Sequence, residues 1–186
     1  MTPKQFLPVA IVTGLLGATL QLVDIFLHAH VPPVANVGLS WMAFQAWAMY
    51  FFAGNTVRGG VRAFIGYFAG MVLSIGIMSL GGTFGGLGFI AVPLAIAILV
   101  PIILYLELAP ELFSLVPAVF IGAGAFFASM SYIPNATYGT VTIAGAVYCA
   151  LGLVFGWLTI SFRTWYGQRT GPTQDPADQE ISVVDA

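Results

Sequence analysis

Residues 57–80, VRGGVRAFIGYFAGMVLSIGIMSL, set two arginines, Arg58 and Arg62, ahead of a stretch without any charged side chain. Spanning the hydrocarbon core of a bilayer takes about 20 apolar residues of helix, so a membrane span is expected over 61–80. Working outward, the same pattern recurs at 6–27, 37–52, 87–106, 112–131 and 139–162. Turn residues separate these stretches: Pro32-Pro33, Gly81-Gly82, Gly85-Gly86, Pro110 and Pro134-Asn135. The expected class is all-α, a polytopic transmembrane helical bundle of six spans. Numbered in order, those spans put Lys4, Arg58, Arg62, Arg163 and Arg169 on one side of the membrane. The alternate loops, 28–36, 81–86 and 132–138, carry neither Lys nor Arg. Loops rich in Lys and Arg stay cytoplasmic, so both termini are expected to face the cytoplasm.

Composition agrees with this reading. Of 186 residues 59% are apolar and 6% charged, and mean hydropathy is +0.97, outside the range of soluble globular domains. The expected division is a six-helix transmembrane domain over 1–166 and a disordered cytoplasmic tail over 167–186, where four of the seven acids lie. With four of the seven acids in the tail, the net charge of −2 carries no information about partners, and no nucleic-acid partner is expected. The lone Cys149 allows no internal disulfide and no thiolate metal cluster.

Lipid gives helices no hydrophobic drive to associate, so small residues at every third or fourth position mark where backbones approach closely. Gly66 and Gly70 in the third span, Gly122 in the fifth, and Gly152 and Gly156 in the sixth are expected at helix contacts, with Gly14 and Gly17 in the first. Such faces can also line a narrow passage. Pro93 and Pro101 are expected to kink the fourth span. A helix-pair repeat is suggested by Ala63-Phe64-Ile65-Gly66 and Val119-Phe120-Ile121-Gly122, which would run in parallel.

The first helix carries the main polar constellation. Ala10, Gly14, Gly17, Gln21, Asp24 and His28 recur at helical spacing and form one stripe, expected to face the bundle interior. An ionisable residue inside a membrane is costly to expose to lipid, which makes Asp24 a candidate functional group, with His28 one turn away and His30 just beyond. The alternative is an interfacial Asp24 that reaches water. Gln45, flanked by Trp41 and Trp47, can bond a passing solute or fasten two helices. Glu107 and Glu111, beside Pro110, are expected to be solvated turn charges rather than partners of Arg58 or Arg62. No metal site is expected, and the chain holds no His-Glu-x-x-His, phosphate-binding glycine loop or Gly-x-Ser-x-Gly. It is read as no enzyme and as needing no cofactor.

Residues 116–128, VPAVFIGAGAFFA, and 150–156, ALGLVFG, resemble a family of small bacterial inner-membrane proteins typified by YcdZ, a domain of unknown function. A looser likeness covers 41–82. The family tends to show Pro-Gly-Thr-Phe-Ile-Gly where this chain has Pro117-Ala118-Val119-Phe120-Ile121-Gly122. The resemblance implies a multi-pass helical bundle of the bacterial inner membrane and brings no activity or site residues with it. The leading expectation for function is a channel or facilitator for small, largely uncharged solutes such as urea, amides or short weak acids. It would work as a homo-oligomer in the lipid bilayer, with Gln21, Asp24, His28, Trp41 and Gln45 along the pathway. A non-transporting scaffold or accessory subunit is the alternative, and a proton-coupled transporter using Asp24 and His28 is a third reading.

Overall fold

In an apolar phase backbone N–H and C=O groups have only each other to bond, which favours continuous helix. The computed structural model describes residues 3–31 and 38–170, and these form six α-helices and no strand. They are α1 (Pro3–Leu27), α2 (Ser40–Phe52), α3 (Val57–Thr83), α4 (Ala91–Leu104), α5 (Val116–Tyr132) and α6 (Tyr138–Thr170). Single 3-10 segments, Gly85–Ile90 and Tyr105–Leu108, flank α4. Four segments are long and apolar enough to cross a membrane: Pro3–Leu27, Val57–Thr83, Gly85–Leu108 and Tyr138–Thr170. The other two are shorter. At 13 residues α2 is about 20 Å long, and α5 at 17 residues about 26 Å, against a core of about 30 Å.

Several boundaries differ from expectation for local reasons. The fourth stretch is three pieces, and the first of them, Gly85–Ile90, holds Gly88 at φ 59°, outside the helical region. Pro93 falls in the first turn of α4, where a missing N–H costs nothing, so Pro101 alone lies within that helix. Residues 167–170 of the expected tail continue α6, and the remainder of the tail lies outside the described residues. Gly54 and Asn55, with φ 94° and 60°, make the tight turn into α3. Thr56 then caps α3 by accepting the Gly59 N–H at 3.0 Å.

Two broad interfaces organise the bundle, α3 against α5 and α2 against α6. In each the backbones touch. A Cβ on Gly70 would collide with the Val119 carbonyl, one on Gly122 with the Tyr67 carbonyl, and one on Gly152 with the Ala43 carbonyl. Gly66 abuts Ala118, and Gly156 abuts the Tyr50 ring. Ser74 Oγ, fully buried, bonds the Ala123 carbonyl at 3.2 Å across the first interface. The α3–α6 crossing joins the two pairs, with Met71 and Tyr67 packed on Gly145. Helix α1 lies on α6, and α4 lies on α3. Both are peripheral and expose most of their apolar surface, whereas α3 and α6 are far more deeply buried.

The basic residues gather at one end. Phe6, Asn55 and Arg163 line one cleft of about 300 Å³, which brings together the start of α1, the α2–α3 turn and the last turns of α6. Arg58 and Arg62 both bind Glu111, at 2.7 and 3.0 Å, so Glu111 is a paired residue rather than the solvated turn charge expected. Beyond this end α6 carries Arg169 stacked 4.5 Å over Trp165, the aromatic and basic mixture typical of a membrane interface.

Candidate functional site

Asp24 sits one turn before the end of α1, with 1% of its surface exposed. Its Oδ1 accepts the Tyr148 O–H at 2.5 Å and the Leu39 backbone N–H at 3.1 Å. Leu39 is the residue from which α2 starts, so the carboxyl group lies at the positive end of that helix. Its Oδ2 rests against Gly38, where a Cβ would stand 2.5 Å away. One side chain thus ties α1 to the start of α2 and to α6. Tyr148 lies nearly three turns into α6, about 15 Å from its first residue, so the contact is recessed within the bundle. Burying a carboxyl group costs several kcal/mol, and the two hydrogen bonds with the helix terminus offset that cost.

Three further polar side chains lie on α2 and α3. Gln45 Oε1 and Trp47 Nε1 on α2, and the Tyr67 hydroxyl on α3, are buried with no hydrogen-bond partner among the described residues. Trp47 is 5% exposed and Tyr67 1%. Both belong to the core cluster that also holds Met71, Tyr148 and Cys149. Phe44 stacks on Trp47 at 5.9 Å and Phe155 tilts against it at 5.8 Å, fixing the indole in place. An unmade hydrogen bond on a buried polar group costs about 1–3 kcal/mol, and Arg62 Nε near the start of α3 is a fourth such atom. Together Gln45, Trp47 and Tyr67 offer one acceptor from an amide, one indole donor, and a hydroxyl that can act either way.

A family model described as "Protein of unknown function (DUF1097)" matches residues 10–168. The chain belongs to that family. No curated protein and no solved structure matches it. The matched region includes Asp24, Gln45, Trp47, Tyr67 and Tyr148.

Not all of the stripe read from α1 comes together in this member of the family. Val9, Leu20 and Asp24 are its buried residues, while Ala10, Gly14 and Gln21 are exposed on the outer face. A Cβ on Gly14 would meet nothing within 4 Å, and one on Gly17 would touch only the Phe44 ring. The interfacial alternative for Asp24 does not fit its burial. Nor does His28 approach the Asp24 carboxyl group. Its Nδ1 bonds the Asp24 backbone carbonyl at 2.8 Å, and His30 Nδ1 bonds that of Phe26 at 2.9 Å. Both rings therefore cap the last turn of α1. Trp41, half-buried, follows Leu39 in the first turn of α2. Sequence reading missed Tyr148 and Tyr67. Each is a bulky hydroxyl-bearing residue in a helix face otherwise made of small side chains, and that contrast was the available signal. Among the described residues no group of three His, Cys, Asp or Glu side chains is placed to hold a metal ion.

Proposed function

We propose that the protein is a facilitator that carries small, largely uncharged solutes of the urea, amide or short weak-acid type across a bacterial inner membrane. It crosses the bilayer six times, with both termini in the cytoplasm, works as a homo-oligomer and catalyses no reaction. The positive-inside rule supports the orientation, since the cleft holding Arg163 and the Arg58–Arg62–Glu111 cluster share one end. The observation that carries the transport reading is that three of the unpartnered buried polar atoms, Gln45 Oε1, Trp47 Nε1 and Tyr67 Oη, are neutral groups on α2 and α3. A neutral solute that both donates and accepts hydrogen bonds complements them. An ion would need compensating charge at that depth, and the polar atoms there are neutral. The YcdZ-type likeness agrees with the inner-membrane assignment.

The test is stopped-flow light scattering on vesicles containing the purified protein, challenged with urea, acetamide, formamide, acetate and glycerol. Protein-dependent entry of one solute class, reduced in Gln45→Leu, supports the reading. Entry at the lipid background for every solute removes it and leaves the non-transporting scaffold.

A further inference from the structure

Three helix interfaces of the bundle repeat under an exchange of its halves, while the slight α1–α2 contact has no image of equal extent between α4 and α5. Replacing α1 by α4, α2 by α5 and α3 by α6 turns the α2–α6 interface into α5–α3, α1–α6 into α4–α3, and α2–α3 into α5–α6, and every one of these contacts is present. The α3–α6 crossing maps onto itself. Residues follow the same rule. Gly152 on the Ala43 carbonyl has its counterpart in Gly70 on the Val119 carbonyl. Leu39 and Leu115 are the residues from which α2 and α5 start. Met71 packed on Gly145 is answered by Leu153 packed against the cluster that holds Ala63. In this register Tyr67 on α3 corresponds to Cys149 on α6. With three helices in each half of a six-span bundle the second half would enter from the opposite face, which makes this repeat an inverted one; it is distinct from the helix pair read at 63–66 and 119–122, whose helices α3 and α5 do run in the same direction.

Each end of this repeat is held by one acidic side chain that joins the start of a short helix to a long one. At one end Asp24 links the start of α2 to Tyr148 on α6. At the other Glu111, just ahead of α5, links to Arg58 and Arg62 on α3. Between the two clasps lies the α3–α6 crossing, where Tyr67 is 1% exposed and its hydroxyl has no partner among the described residues.

We propose that this crossing is a binding site for one small neutral solute with hydrogen-bonding capacity, held by the Tyr67 hydroxyl and reached from opposite faces as the Asp24 and Glu111 clasps open in turn. The proposal rests on the facilitator reading for the solute class, while its geometry comes from the repeat alone. Cys149, the chain's single cysteine, is buried beside the site and reports on access without any substitution at the site itself.

The experiment follows alkylation of Cys149 by a membrane-impermeant maleimide applied to either face of uniformly oriented vesicles, with and without urea or acetamide. Glu111→Gln is expected to raise the labelling rate about threefold from the Arg58 face, the scale set by loss of a pair worth under about 1 kcal/mol. Tyr148→Phe and Asp24→Asn are expected to raise it from the opposite face. Solute is expected to slow labelling in every case, and Tyr67→Phe to abolish that protection. Acceleration from the same face in both classes of variant, or in neither class, overturns the proposal. Should the Asp24 variants fail to fold, Glu111→Gln decides alone, since that pair is exposed. Labelling needs no net flux: solute entry with a face-independent response removes the alternating site and keeps the facilitator, whereas face-specific labelling without entry removes the facilitator.

Discussion

The Tyr148 hydroxyl donates to Asp24 Oδ1 at 2.5 Å, joining two helices that lie far apart in the chain. Helix α1 has few other buried side chains, Val9 and Leu20 among them, with Leu16 and Leu27 half-buried against the core. Removing the hydroxyl leaves a buried carboxyl group with the Leu39 N–H as its remaining partner among the described residues. Tyr148→Phe is therefore expected to destabilise the protein by about 1–3 kcal/mol, the range for leaving a buried polar group short of a hydrogen bond. Asp24→Asn, which keeps an acceptor for both donors, is expected to cost less, and Asp24→Leu more. Thermal unfolding in a mild detergent ranks the three; an equal melting temperature for Tyr148→Phe and the parent would refute the role.

Gly38 makes a sharper test of the same pocket. A Cβ there would stand 2.5 Å from Asp24 Oδ2, closer than real Cβ contacts come. Gly38→Ala is expected to lower the melting temperature in the parent and to do so less when combined with Asp24→Ala, which clears the space. Equal losses in the two backgrounds, in a double-mutant cycle, would show that the two positions do not interact.

The helices themselves were legible because length, charge and turn residues act locally. Arg58 and Arg62 stand at the start of α3, and Gly54-Asn55 marks the turn before it. Helix phase was not legible. The face of α1 that turns inward is decided by what α6 and α2 present, and a period of three or four fits Ala10–Gly14–Gln21 as well as Val9–Leu20–Asp24. Small residues read as an inward stripe, yet on this peripheral helix they face out. The Asp24–Tyr148 contact depended on that phase and on a partner in the last helix. Gly88's positive φ, within the 3-10 segment ahead of α4, likewise leaves no mark in hydropathy.

Glycines separate cleanly by location. Gly14 opens onto empty space, whereas Gly152 lies against the Ala43 backbone. Gly14→Ala is expected to stabilise by about 0.5–1 kcal/mol through helix propensity. Gly152→Ala forces α2 and α6 apart and is expected to destabilise strongly, as overpacking does, by about 1–3 kcal/mol. Melting curves of the two variants should move in opposite directions, and a parallel shift would contradict the interface described.

Tyr67 sets stability against function. Its hydroxyl is buried in the core with no partner among the described residues, so in a purely structural bundle it is a liability. Replacing a buried unsatisfied group by an apolar one of the same shape relieves the desolvation penalty, on the order of 1–3 kcal/mol. Tyr67→Phe keeps the ring that packs near Gly145 and deletes only the oxygen. The expected outcome is a higher melting temperature together with slower solute entry in the vesicle assay. A scaffold predicts the first change without the second, because it has no flux to lose. A lower melting temperature would mean that the hydroxyl is satisfied in the folded protein by something other than solute, such as a bound water. It would then cease to count as evidence for a binding site, and the transport reading would rest on Gln45 and Trp47 alone.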